Sequence, residues 1–173
     1  LLMVLISDIL DLSKIESNTM EFNFCNISLH QVLNEIGSAQ RMNMKEGVEL
    51  LLDLPGQEIT ISTDPTRLSQ VINNLVNNAI KFTSEGNICI GYRPATSNRV
   101  KIFVEDTGTG MAKEVIEHIF DRFYKGDAFK QGTGLGLAIC RTIAERFKGK
   151  IEVASTPGKG TRFTIILPLK VEE

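Results

Sequence analysis

The chain has 173 residues, 42% of them hydrophobic and 23% charged, with a formal net charge of −2. That balance is the composition of an ordinary globular domain, long enough for one core plus a short extra element. It excludes a long basic surface for nucleic acid or an anionic membrane. It also shows no repeat and no low-complexity tract.

The chain opens on an apolar helical segment. Residues 1–17 carry Leu2, Leu5, Ile9 and Leu12 at the 3-4-3 spacing of a coiled-coil seam, widened by Ile6, Leu10 and Ile15. A helix this apolar is not expected to stand alone in water. The run before Ser7 and Asp8 is too short to cross a bilayer and has no basic leader, which argues against a membrane segment or a signal peptide here. A linker is expected near residues 16–20, then a short strand at 22–27. A helix at 28–45 follows, with Ser28 as its N-cap. Strands are expected at 48–54 and 59–63, with a turn at Pro55-Gly56 between them.

Residues 64–82 read as a long helix that begins on Asp64-Pro65. Leu68, Val71, Ile72, Leu75, Val76 and Ala79 form its apolar face, and Arg67, Gln70, Asn74, Asn78 and Lys81 fall on one polar stripe. Four asparagines inside it, Asn73, Asn74, Asn77 and Asn78, cost helix propensity, so something besides helicity retains some of them. Amide oxygens suit Mg²⁺. Periodicity puts Asn77 near the centre of the solvent face and Asn73 and Asn78 at its margins, and does not choose between those two. A solvated polar face is the plain alternative.

Residues 86–93 and 99–106 read as strands around a polar loop at 94–98. The second ends on Asp106, followed by Thr107-Gly108-Thr109-Gly110. A carboxylate accepts hydrogen bonds and does not donate, so a buried Asp106 would choose adenine, with its exocyclic amine, over guanine. A turn capping a helix near Lys113 is the alternative. Further on, Gly132-Thr133-Gly134-Leu135-Gly136-Leu137 runs into a helix at 135–147. Bare backbone ahead of a helix start favours a phosphate, although a flexible glycine turn would read the same way. Residues 150–155 and 161–169 form a last hairpin. The pattern fits an α+β fold, a two-layer sandwich with a mixed sheet covered on one face by helices. Cys25, Cys89 and Cys140 show no metal-ligand spacing and read as packed, reduced thiols, consistent with a cytoplasmic domain.

The segments Asn74-Leu75-Val76-Asn77-Asn78-Ala79-Ile80-Lys81-Phe82, Asp106-Thr107-Gly108-Thr109-Gly110, Phe120-Asp121-Arg122-Phe123 and the glycine run at 132–137 together resemble, in order and spacing, the ATP-binding domains of sensor histidine kinases. The wider fold group, with its Bergerat-type ATP-binding fold, includes type II topoisomerases, mismatch-repair ATPases and a heat-shock chaperone. The resemblance implies a domain at 21–173 that binds ATP and Mg²⁺. By it, Asn78 is the metal ligand and Asn74 a polar contact one turn earlier. Lys81 reaches the phosphates, and Phe82 lies near the nucleotide. Asp106 accepts from the adenine amine, with Gly108 and Gly110 letting the backbone pass close to the base. Gly132, Gly134 and Gly136 form the phosphate loop, with Thr133 and Leu135 between them. Gln131 departs from the pattern, since many members carry another glycine there.

Lys125 and Lys130, in the polar stretch before Gly132, are candidate phosphate contacts in a lid, with solvated lysines as the alternative. Residues 1–20, through Asp11-Leu12-Ser13-Lys14-Ile15-Glu16, resemble the end of the second helix of the family's dimerisation hairpin, which makes a homodimeric four-helix bundle; a helix packed on its own domain is the rival. The hairpin's first helix, which carries the phosphoacceptor histidine, has no counterpart in the sequence. His30 and His118 do not match that context, so no catalytic residue is assigned within these residues. The implied function is transfer of the ATP γ-phosphoryl group to a hairpin histidine for relay to a response-regulator aspartate. A membrane-anchored parent stays open. So does a nucleotide-gated regulatory module. A hydrolytic ATPase is disfavoured, because the residue one turn before Asn78 is the amide Asn74, a poor general base.

Overall fold

The structure, a computed structural model, describes residues 2–126 and 132–170. Its central sheet has five strands in the order β2-β4-β5-β7-β6, formed by Val48–Asp53, Gly86–Thr96, Arg99–Asp106, Gly160–Pro168 and Lys150–Thr156 respectively. β2 and β4 are parallel and the other pairs antiparallel, so the sheet is mixed as expected. Alternation along each strand separates two faces. Ile88, Ile90 and Tyr92 of β4, Val100, Ile102 and Val104 of β5, and Phe163, Ile165 and Leu167 of β7 turn inward. Lys101 and Glu105 turn to solvent, and Arg162 lies over the Phe103 ring at 4.0 Å.

Three helices cover the inner face: α2 (Leu29–Gln40), α3 (Pro65–Phe82) and α5 (Gly136–Arg146). α3 starts because Asp64 caps it, its side chain accepting the Arg67 N–H at 3.0 Å, with Pro65 in the first turn. All six expected apolar positions of α3 are buried, the Leu, Val and Ile side chains each contributing about 1.5–3 kcal/mol of transfer free energy when fully removed from water. α5 brings Ile139, Cys140, Ile143 and Ala144 into the same core.

Local departures from the sequence expectations have packing causes. The strand expected at 22–27 is β1 (Cys25–Ser28), because Phe22 and Phe24 instead meet the Phe147 ring edge-on at 5.6 and 5.9 Å. β1 pairs with β3 (Thr60–Thr63) in a separate two-stranded sheet. α2 stops at Gln40, followed by a 3₁₀ turn at Arg41–Asn43, and the Gln40 amide turns to Asn73 on α3 at 2.8 Å. β4 continues through Pro94 to Thr96, with a register shift absorbing the missing N–H donor. The helix near Lys113 is a single turn, α4 (Lys113–Ile116). The cysteines are not uniformly packed: Cys140 is buried, Cys89 intermediate and Cys25 exposed.

The opening helix α1 (Leu2–Glu16) lies against α5 and α3. The expected seam is divided. Leu5 and Leu12 are half-buried, whereas Leu2, Ile6, Ile9 and Leu10 are exposed. The deeply buried positions of α1 are two acids, Asp8 and Asp11. No helix among the described residues is long and apolar enough to cross a membrane.

Candidate functional site

Two adjoining cavities open between α3, α5 and the end of β5. The larger, about 230 Å³, carries most of the polar side chains, beside apolar surface of comparable extent. α3 contributes Asn74, Asn77, Asn78 and Lys81 to it, and the loop before α5 contributes Gly132, Thr133, Gly134 and Gly136. Tyr124 and Lys125 close one side, and Val4 and Asp8 of α1 reach in from another. The smaller, about 30 Å³, is mostly apolar, with Phe82, Met111, Ile119, Leu137 and Phe163 around Asp106, Thr109, Gly110 and Thr161. Asn78, Ile119 and Leu137 line both.

The asparagines divide as their helical positions dictate. Asn73 accepts from Gln40 and so faces α2, while Asn78 stands where the two cavities meet. Asn77 is exposed on the rim, 3.4 Å from Gln40 Nε2. Asn74 packs against the start of α5: a Cβ on Gly136 would stand 3.1 Å from Asn74 Oδ1. Lys81 completes that face. Burial, and then the like charge of Lys125, push its pKa down.

Asp106 closes the inner end. It is 7% exposed, and Oδ1 accepts the Gly108 N–H at 2.8 Å. Burial raises its pKa, opposed by hydrogen bonds from the Gly108 and Thr161 backbone. Gly108 lies against the Phe82 carbonyl, where an added Cβ would come within 2.3 Å, and Gly110 has φ +66°. Beside them the Ser155 hydroxyl accepts the Met111 N–H at 2.8 Å and pairs with Thr161 at the same distance.

The loop 132–136 is shaped by left-handed backbone at Gly132 (φ +120°) and Gly134 (φ +73°). The Gly134 carbonyl accepts the Phe123 N–H at 2.8 Å. Thr133 Oγ1 donates to Asp8 Oδ2 at 2.6 Å and accepts the Leu135 N–H at 3.2 Å. The Leu135 side chain is fully buried in the core and does not line the cleft.

Thirteen of the fourteen expected site residues lie among the described residues; Lys130 lies outside them, as does Gln131. The structure gathers eleven of the thirteen around the two cavities, Leu135 and Gly108 standing behind the lining. Sequence reasoning missed Tyr124, Ile119, Met111 and Asp8. The first three are ordinary apolar or aromatic positions with no distinguishing pattern. Asp8 had a signal, an acid recurring with Asp11 on one face of an otherwise apolar helix. Neither histidine lines the cleft: His30 contacts the buried Tyr92 hydroxyl, and His118 Nδ1 lies 2.8 Å from Asp121.

Residues 63–171 match the model of the histidine kinase-, DNA gyrase B- and HSP90-like ATPases. The chain belongs to that family. Sensor histidine kinase RcsC of Escherichia coli is 39% identical over 98% of this chain, which spans 18% of that protein. A catalytic-domain structure of the histidine kinase ThkA is 30% identical, covers 87% of this chain and 97% of that one, and superposes with a TM-score of 0.76. Full-length ShkA, solved in complex with AMPPNP, superposes with a TM-score of 0.90 over 99% of this chain and 37% of its own, at 26% identity. The chain spans less than a fifth of the RcsC sequence it matches.

Proposed function

We propose that the two cavities form one site for ATP, the adenine in the apolar pocket and the triphosphate in the polar cleft. The observation that carries this reading is the joining of the cavities at Asn78, with a buried carboxylate at one end and glycine backbone at the other. Asp106 accepts from the adenine amine, and Phe82 and Gly110 bound the base. Gly108 shapes the turn beside it. Gly132, Gly134 and Gly136 leave main-chain N–H groups bare toward the phosphates, where Thr133 and the Leu135 backbone complete the loop. Lys81 and Lys125 supply positive charge there. Lys130 is assigned the same task by sequence alone.

The chemistry of the donors fits Mg²⁺. Asn78 supplies a neutral amide oxygen at the junction, with Asn74 one turn away, and Mg²⁺ takes few protein ligands beside phosphate and water. Bound there, the ion would neutralise phosphate charge. Phosphoryl transfer depends on positioning and charge stabilisation, and this arrangement is suited to both. Asn74 stands where a hydrolytic enzyme would need a carboxylate base, which favours transfer over hydrolysis.

We assign residues 21–173 to the catalytic domain and 1–20 to the end of a dimerisation-hairpin helix and its linker. The full-length protein is read as a homodimer on the cytoplasmic side of its membrane or in the cytoplasm. There it passes the γ-phosphoryl group to a hairpin histidine and on to a response-regulator aspartate. The test is a longer chain with a hairpin histidine ahead of residue 1, incubated with γ-labelled ATP. Acid-labile, base-stable label on that histidine is expected. Release of inorganic phosphate without such label would overturn the kinase reading. The 173-residue chain alone is expected to take up no label, and label on His30 or His118 would contradict the assignment.

A further inference from the structure

Aspartate is a poor choice for the buried side of an apolar helix unless something there repays its desolvation. Asp8 is 8% exposed, and it is the sole acidic residue lining the polar cleft among the described residues. Its carboxylate accepts from Thr133 Oγ1 at 2.6 Å, within the glycine loop. A hydroxyl has one proton to donate, so in this arrangement Thr133 has none left for a ligand. Burial, and then Asp11, push the Asp8 pKa up, with the Thr133 hydrogen bond opposing.

Polar pairs make up much of the rest of the α1 contact, beside the half-buried Leu5, Leu12 and Ile15. Asp11 is held by Arg67 at 3.1 Å and Gln70 at 2.6 Å; Glu16 meets Arg122 and Asn18 meets Arg146. These polar pairs part at modest cost, because each group in them is well solvated once released.

We propose that Asp8 is an internal counter-ligand of the cleft: with α1 docked, its carboxylate occupies the Thr133 hydroxyl and places negative charge where a polyphosphate lies, so α1 docking and polyphosphate binding oppose each other. The inference rests on the nucleotide reading above. Coupling of this kind is reciprocal. The nucleotide loosens α1, and a partner that holds α1 away from the domain tightens the nucleotide. The antagonism scales with phosphate charge and leaves the base end untouched, which makes Asp8 a determinant of selectivity among ATP, ADP and adenosine.

The test is calorimetric titration of the complete chain with ATP, ADP and adenosine in Mg²⁺. Asp8→Asn keeps a side-chain acceptor for Thr133 and removes the charge. ATP is expected to bind about fivefold or more tightly to it, ADP with a smaller gain and adenosine unchanged. Asp11→Asn, which loosens α1 without entering the cleft, is expected to shift ATP in the same direction. Hydrogen exchange on the unaltered chain gives the reciprocal readout: amides 2–16 are expected to exchange faster with ATP than with adenosine. An unchanged ATP-to-adenosine ratio in Asp8→Asn overturns the proposal, and so does equal exchange with both ligands. Weaker ATP binding with a lost Mg²⁺ requirement also overturns it, making Asp8 a metal-holding group instead. Failure of the nucleotide reading is separate: it would show as Asp106→Ala leaving both ATP and adenosine affinity unaltered.

Discussion

Asp106 Oδ1 accepts the Gly108 N–H at 2.8 Å. One carboxylate oxygen is thereby anchored to the chain's own turn, and the side chain is oriented before any ligand arrives. A preorganised acceptor costs little further ordering on binding. Asp106→Ala is therefore expected to weaken ATP and adenosine alike by about 1.5–3 kcal/mol, the range for hydrogen bonds to a charged group. Calorimetry checks this, and a variant that lost ATP but kept adenosine would place the base elsewhere.

The same residue should cost the empty domain stability. Burial is the largest influence on Asp106 and raises its pKa above the ordinary 3.8. A group whose folded pKa is raised favours folding below its unfolded pKa, and that advantage is lost as pH rises through the folded value. At neutral pH the ionised, desolvated carboxylate opposes folding. Asp106→Asn is expected to raise Tm at pH 7 without nucleotide, with the gain falling away as pH drops through the raised folded pKa and largely gone below about pH 4, where even an unperturbed aspartate is mostly protonated. Scanning calorimetry at the two pH values decides it; an equal gain at both would mean the charge is not the cause.

Asn77 and Asn78 are adjacent in sequence but differ in what they reach. Asn78 lines both cavities, and Asn77 lies exposed on the rim near Gln40. Asn78→Ala is expected to remove most of the Mg²⁺ dependence of ATP binding, and Asn77→Ala to leave it nearly intact. Titrations with and without EDTA measure the difference. Equal effects would move the metal to a different turn of α3.

The six buried positions of α3 follow from a 3.6-residue period, and the mixed sheet follows from alternating strands interrupted by helices. What periodicity left open was the choice between Asn73 and Asn78, because both sit at margins of one polar face. The structure separates their positions: Gln40, at the end of α2, takes Asn73, and Asn78 lines the cavities. Nor could local pattern show that Phe22 and Phe24 turn to Phe147 rather than extend β1, since that contact spans more than a hundred residues. Asp8 escaped for the same reason. Its partner Thr133 is 125 residues away, and within α1 alone an apolar seam was the dominant signal.

Gly134 holds φ +73°, and a Cβ there would stand 2.8 Å from Phe123 Cα and carbonyl carbon. A side chain in the left-handed region costs roughly 1–2 kcal/mol before any clash, and here the loop must also move from Phe123. Gly134→Ala is expected to weaken ATP by about five- to thirtyfold, if that strain is all released in the empty loop, while adenosine affinity stays within about twofold. Parallel titrations test it. Equal losses for both ligands would mean the substitution disturbs the whole domain and not the phosphate loop.

The three thiols should be distinguishable by alkylation. The thiolate is the reactive form, so exposure and pKa together set the rate. Cys25 is exposed. Burial pushes the half-buried Cys89 up, with Asp53 and Glu105 adding to it. Cys140 is fully buried in α5 and pushed up to about 12. Iodoacetamide at pH 8 is expected to label Cys25 first, Cys89 more slowly, and Cys140 only once the chain is unfolded in denaturant. Mass spectrometry of digests over time reads the order. Because α5 carries both Cys140 and the glycine-loop end of the cleft, early labelling of Cys140 in the native chain would mean that α5 opens away from α3, and the cleft with it.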